Sequence, residues 1–259
     1  MATYLDRIAE YHRDRAAADG RDWVARDIAA TPLDTRAAFL KETISVIAEV
    51  KRQSPSAGAI ADVQPDDQAR RYIDNGAAAI SVLTDEPHFG GSLEDLRRVA
   101  ATAGGAVPIL RKDFTVSEND VLDAAQNGAN IVLLIATILS DEELVTLSQV
   151  ATDAGLQSLF EVHDVNELRR VEAAGATLIG VNQRDLHTFT IDPQRAATVR
   201  SEARGDALFV CESGLKSAND VQNAADNGFD GVLIGEALMR AGEGLPELLT
   251  TMSSIRKPK

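Results

Sequence analysis

The segment Asn127-Gly128-Ala129-Asn130-Ile131-Val132-Leu133-Leu134-Ile135 decides the fold. Asn-Gly reads as the left-handed stop of a helix, and the run after it is apolar at every position from Ile131 to Ile135. A strand with one wet face alternates apolar with polar residues, whereas an unbroken apolar run suits a parallel strand covered on both faces. Downstream, Leu144, Leu147 and Val150-Ala151 form one helical stripe, with Asp141, Glu142 and Glu143 where a helix N-terminus favours negative charge. Stop, strand and helix make one βα unit.

The same punctuation recurs on both sides. Asn75-Gly76, Gly104-Gly105, Ala154-Gly155, Ala174-Gly175, Gly205 and Asn227-Gly228 each precede an apolar run. Strands are expected at about 45–51, 78–83, 107–112, 130–135, 157–162, 177–182, 207–212 and 231–235, each followed by a helical pattern. Eight βα units match an α/β fold of the (β/α)8 TIM barrel type. A doubly wound open sheet is the competitor, but no Gly-x-Gly-x-x-Gly follows the first strand and the near-regular period favours closure. Residues 1–259 are expected to form a single barrel domain, of which 1–44 is a helical N-terminal extension. There Leu5, Ile8, Tyr11, Trp23, Val24 and Ile28 recur at loose helical spacing, with a stop near Gly20 and a new start at Thr31-Pro32 before Phe39 and Leu40. Such a segment could cap the bottom of the barrel or lie over its active face.

Composition narrows the function. Hydrophobic residues at 44% and charged residues at 25% are ordinary for a globular chain with a substantial core. A net charge of −14, from 26 basic and 40 acidic residues, repels nucleic acid and anionic membranes, so an anionic ligand needs a local basic pocket. One cysteine, Cys211, permits no intrachain disulfide and points to a reducing, cytoplasmic compartment. The first residues lack the apolar core of a signal peptide, and no run approaches the length of a membrane helix.

In a barrel of this kind, active sites form at the C-terminal ends of the strands. Those ends are strongly polar here: Glu49 and Lys51 after the first, Lys112 and Asp113 after the third, Glu161 at the fifth, Asn182 and Arg184 at the sixth, Glu212 and Ser213 at the seventh. Glu49 and Lys51 lie two apart on one strand and so face the same way, before Ser54-Pro55-Ser56 turns the chain. One mouth would gather these carboxylates and cations, and like and opposite charges within it push pKa values apart, separating acid from base. Glu212-Ser213-Gly214 and Ile234-Gly235-Glu236 occupy the places where barrel loops commonly bind phosphate through backbone N–H groups, although either glycine could be a plain turn. Glu236 is discordant beside a phosphate unless its side chain points away. Phe89, Phe114 and Phe160 near strand ends would suit an aromatic substrate if they face the mouth, and are core residues otherwise.

Other candidates recede. His12, His88, His163 and His187 show no metal-ligand spacing, so no metal is expected. His163, two residues after Glu161, is within reach of the mouth, but a hydrogen-bonded loop histidine is the plainer reading. Cys211, inside Leu208-Phe209-Val210-Cys211, reads as buried packing.

At these residues the chain resembles the indole-3-glycerol-phosphate synthase family. The shared pieces are Ile47-Ala-Glu-Val-Lys-Arg-Gln-Ser-Pro-Ser-Ala-Gly58, Leu83-Thr-Asp-Glu with Phe89-Gly-Gly-Ser92, Leu110-Arg-Lys-Asp-Phe114, Leu133-Leu-Ile135, Phe160-Glu-Val-His163, Gly180-Val-Asn-Gln-Arg-Asp-Leu186, Glu212-Ser-Gly214 and Leu233-Ile-Gly-Glu-Ala-Leu-Met239. Every barrel unit carries one. The resemblance implies a cofactor-free carboxy-lyase of tryptophan biosynthesis that converts 1-(2-carboxyphenylamino)-1-deoxyribulose 5-phosphate to indole-3-glycerol phosphate, carbon dioxide and water. It implies Lys112 as the acid at the ketone oxygen, Lys51 near the carboxylate and reacting carbons, Glu161 with Glu49 for proton transfer in the dehydration, and Asn182 as an orienting group, with Ser213 also in the catalytic set. Phe89, Phe114, Leu133, Arg184, Glu212 and Ser54 are implied substrate contacts. Lys51, Ser54, Ser213, Gly214, Gly235 and Glu236 are implied for the phosphate, Glu236 standing where relatives often place serine, which leaves backbone binding intact but puts a side-chain contact in doubt. The expected partner is this small anionic phosphosugar, with neither nucleic acid nor membrane, and the unfused barrel is expected to be monomeric. Two alternatives remain: another phosphosugar barrel such as phosphoribosylanthranilate isomerase, which needs an acid/base pair but not this lysine pair with Glu161 and Asn182, and a noncatalytic ligand-binding barrel, which has no need of several opposed ionisable groups.

Overall fold

The computed structural model describes residues 3–21, 33–54, 58–185, 188 and 190–258. Eight parallel strands close into a barrel: β1 Ser45–Val50, β2 Ala79–Leu83, β3 Ile109–Lys112, β4 Ile131–Ile135, β5 Gln157–Val162, β6 Leu178–Asn182, β7 Leu208–Glu212 and β8 Gly231–Ile234. Closure is made by β1 against β8, with Ser45 beside Gly231 and Ala48 beside Ile234. All eight expected strands exist, although β1 ends one residue early, leaving Lys51 just past the strand, and β3 starts two residues late.

Helices alternate with the strands: α2 Pro65–Asp74, α3 Leu93–Ala103, α4 Glu118–Gln126, α5 Asp141–Asp153, α6 Val165–Ala173, α7 Pro193–Ser201 and α8 Ala218–Asp226, then a short α9 Glu236–Arg240 and α10 Leu245–Ser253. Six of them open on a serine or aspartate cap at the end of the barrel where the strands finish, as where Ser140 caps α5 and Glu143 bonds back to its backbone N–H. Gly76, Gly104, Gly105, Gly128, Gly155, Gly175, Gly205 and Gly228 all hold positive φ, the stop conformation that the sequence predicts.

Alternation along each strand sorts two cores. Ile47, Leu110, Ile131, Leu133, Leu159, Val210 and Leu233 fill the barrel interior, while Val46, Ile80, Val132, Phe160, Ile179, Phe209 and Cys211 pack outward beneath the helices. Phe160 and Cys211 are therefore core residues, and burial pushes the Cys211 thiol up to about 12.

The N-terminal extension does both of the things open to it. Helix α1, Tyr4–Ala18, lies at the C-terminal end of the barrel, where Arg13 bonds Glu143 at 2.7 Å and Arg15 bonds Asp120 at 2.6 Å, both acids in the first turns of α5 and α4. At the opposite end Phe39, fully buried after the single turn Arg36–Ala38, plugs the barrel beside Gly231, with Lys257 donating to its carbonyl at 2.9 Å. The expected contributions of Trp23, Val24, Ile28 and the start at Thr31-Pro32 lie outside the described residues.

Candidate active site

Where the strands end, a cavity of about 520 Å³ opens. Glu49, Lys51, Phe89, Lys112, Phe114, Leu133, Glu161, Asn182, Arg184, Glu212, Ser213, Gly214, Gly235 and Glu236 all line it. The remaining predicted site residue, Ser54, has its backbone in a two-strand hairpin, Gln53–Ser54 with Gly58–Ala59, and its side chain lies outside the described residues.

The charges are arranged as two groups. On one side Lys51 Nζ lies 2.6 Å from Glu49 Oε1, the pairing predicted from their common strand face. On the other, Lys112 Nζ donates to Glu161 Oε2 at 2.7 Å and lies 3.5 Å from Glu212 Oε2, while Asn182 Nδ2 donates to Glu161 Oε1 at 3.1 Å. Asn182 also accepts the backbone N–H of Arg184 at 3.0 Å, which fixes its amide so that nitrogen faces Glu161.

This packing separates the acid groups. Burial alone would lower the Lys112 ammonium, but the carboxylates of Glu161, Glu212 and Glu49 outweigh it and hold the pKa above its ordinary value. Burial would likewise raise Glu161, yet Lys112, His163 and the Asn182 hydrogen bond hold it below the usual carboxylate range. Glu212 goes the other way, raised by burial and by its ionised neighbour Glu161 more than Lys112 lowers it. Two neighbouring carboxyls are thus pushed in opposite directions beside one ammonium, the pattern by which one site holds both acid and base.

Two glycines are what let these carboxylates seat. A Cβ on Gly180 would stand 1.9 Å from Glu212 Oε1, and one on Gly235 would stand 2.3 Å from Glu49 Oε1 and 3.1 Å from Lys51 Nζ. Gly235 is thus not a positive-φ turn; it is glycine because the charged pair occupies the space of a side chain. Gly214 does hold φ of 79°, and Ser213 before it holds 66°, the one non-glycine at positive φ among the described residues. Gln183 supports that bend, its amide donating to the Ser213 carbonyl at 2.7 Å. Glu236 turns to Arg240, which bonds it at 2.9 Å, so the discordant carboxylate is neutralised within α9.

Sequence reading missed Gly180, Gln183 and Arg240, and the apolar wall residues Leu83, Ile135, Leu215 and Leu248. The i,i+4 spacing of Glu236 and Arg240 was the one available signal for any of them. His163 is not part of the cavity wall, but its buried Nε2 lies 3.5 Å from Glu161 Oε1 while Nδ1 faces Thr137 and Glu167, each at 3.1 Å. Asp113, although beside Lys112, is committed to Arg111 at 2.8 Å and Thr84 at 2.5 Å.

Comparison with known proteins is decisive on family. The profile described as "Indole-3-glycerol phosphate synthase" matches residues 9–246. The chain belongs to the indole-3-glycerol phosphate synthase family. It is 47% identical over 214 residues to the indole-3-glycerol phosphate synthase of Listeria monocytogenes, covering 81% of this chain and 83% of that one. With the Mycobacterium ulcerans synthase it is 41% identical over 268 residues, covering 100% and 98% of the two chains. Among solved structures, a thiamine phosphate pyrophosphorylase from Pyrococcus furiosus superposes with a TM-score of 0.61 at 15% identity, covering 82% of this chain and 94% of that one, a likeness of fold alone. Membership of the synthase family agrees with the strand-end residues from which the resemblance was drawn.

Proposed function

We propose that this cavity performs the decarboxylating ring closure of a synthase of tryptophan biosynthesis, on 1-(2-carboxyphenylamino)-1-deoxyribulose 5-phosphate. The observation that carries the assignment is the position of Lys112 between two buried carboxylates, 2.7 Å from Glu161 and 3.5 Å from Glu212, across the mouth from the Lys51–Glu49 pair. Binding alone does not need such a cluster. An isomerase needs one acid and one base, not two lysines with separate carboxylates.

In the first step the ring carbon bearing the carboxylate bonds to the keto carbon, and the ketone oxygen takes a proton from Lys112, whose carboxylate neighbours keep it charged at neutral pH. Lys51 lies against the substrate carboxylate until carbon dioxide leaves and the ring regains aromaticity. Dehydration then expels the new hydroxyl as water and removes a proton from the carbon next to nitrogen. Glu161 and Glu49 are assigned those two proton movements, and Asn182 holds Glu161 in place. Phe89 and Phe114, whose rings lie 6.3 Å apart, form with Leu133 the apolar wall for the aromatic ring. The phosphate is assigned to the bend at Ser213-Gly214 and to the Gly235-Glu236 backbone, aided by Lys51. No step calls for a cofactor.

Among the described residues no helix is long and apolar enough to cross a membrane, and we assign the activity to a monomer in the cytoplasm. Turnover of the carboxyphenylamino substrate, followed by the fluorescence of the indole product, tests the assignment. Folded protein that yields no product even at high enzyme concentration would sink it.

A further inference from the structure

A second polar cluster lies outside the catalytic mouth, under α1. One ligand atom from each of His12, Asp85 and His88 lies within 4.8 Å of the other two, although 73 residues separate His12 from Asp85. His12 is 3% exposed and Asp85 2%, and neither ring nitrogen of His12 has a hydrogen-bond partner. A buried imidazole left unsatisfied is costly, so this ring calls for a ligand. Its Nε2 faces Asp85 Oδ2 at 3.5 Å, which is long for a hydrogen bond but close to the edge of about 3.4 Å between two ligands of one tetrahedral ion. His88 Nδ1 is hydrogen-bonded to the same carboxylate, 2.9 Å from Oδ2 and 3.2 Å from Oδ1, a bond that an ion between them would replace.

We propose that His12, Asp85 and His88 form a site for one zinc-class divalent ion, completed by water, which staples α1 to the loop after β2. Two imidazoles and a carboxylate suit a borderline transition ion and not magnesium or calcium, which prefer all-oxygen shells. Local charge agrees. Asp113 Oδ1 lies 4.0 Å from His12 Nε2, so with neutral histidines two carboxylates face the site and Arg111 neutralises only one. The ring of Tyr11 stands edge-on to both histidines, at 5.2 and 5.7 Å. His88 retains 21% side-chain exposure and supplies a path for the ion. The ring of Phe114, part of the catalytic wall, lies 5.3 Å from His12, so the staple also steadies that wall.

The test uses the full chain, untagged and stripped with chelator. Co2+ titration should give visible d–d absorption saturating at one ion per chain, displaced by Zn2+, and saturating Zn2+ should raise the melting temperature by several degrees. His12→Ala and His88→Ala should each weaken Co2+ affinity by at least about tenfold. Absence of the Co2+ bands in the wild type overturns the proposal, as does equal affinity in the variants. Should His12→Ala fail to fold, the partly exposed His88→Ala decides alone.

Discussion

On the β3 to β6 side of the mouth the chemistry is carried by side chains, with Lys112, Glu161 and Asn182 bonded into one network under Glu212. On the β7 to β8 side it is carried by backbone, with Ser213 and Gly214 bent into positive φ and Gly235 bare so that Glu49 can lie against it. On the proposed assignment the first side moves protons, which requires titratable groups of opposed tendency, and the second holds a dianion, which requires N–H groups and room. The two sides should therefore fail differently: losses on the first fall in kcat, losses on the second in KM.

The largest effect is expected at Lys112. Lys112→Ala removes the acid and should lower kcat by roughly 10²–10⁴-fold, the usual worth of a positioned acid. Glu161 and Glu212 can take up protons from the open cavity, so the fold should survive, which circular dichroism checks. Near-wild-type turnover would remove Lys112 from the acid role. Next comes Gly235→Ala. Its backbone is free to accept alanine, but the new Cβ lands 2.3 Å from Glu49 Oε1. Displacing Glu49 and Lys51 together should cost kcat/KM about 10–100-fold, and overpacking should cost about 1–3 kcal/mol of stability. An unchanged KM would show that the backbone side does not bind phosphate there.

The contrast also explains what could be read from the chain. The barrel was legible because each βα unit repeats a glycine stop and an apolar run, and closure follows from eight such units. The charged side was legible too, because residue letters declare charge and strand period declares direction, as with Glu49 and Lys51. The backbone side was not. Gly235 could be read as a turn, although its role is to leave space for a side chain from β1, and no local pattern records a contact across 186 residues, the span from Glu49 to Gly235. Gly180 was passed over for the same reason, since its need arises from Glu212 on the next strand. The His12–Asp85 approach is likewise a product of where α1 docks.

A smaller effect should appear in pH dependence. Glu212 keeps its proton to higher pH when folded than when unfolded, where the carboxyl titrates at about 4.3. Between those two values the native state binds more protons, so this group's contribution to stability falls as pH rises through the raised native pKa. Glu161 has the opposite sign: its contribution is present above the ordinary carboxylate range and is lost as pH falls below it. Glu212→Gln, which imitates the protonated acid, should flatten the decline of the melting temperature between about pH 4.5 and about 8 and leave the acid limb in place. A melting temperature that declines as steeply over that range in the variant would place the titration elsewhere.

The smallest effect should separate geometry from chemistry on the backbone side. Ser213 at φ 66° sits where a side chain is strained, an expense of order 1 kcal/mol that glycine does not incur. Ser213→Gly should therefore leave stability unchanged or raise it slightly, since relief of strain opposes the greater freedom of the unfolded chain. The bend and its N–H groups persist, supported by Gln183, while the hydroxyl is lost. If backbone N–H groups hold the phosphate, KM should rise only a few-fold and kcat should hold. A KM rise as large as that of Gly235→Ala would make the hydroxyl the principal contact, and the two sides of the mouth would then be alike in relying on side chains.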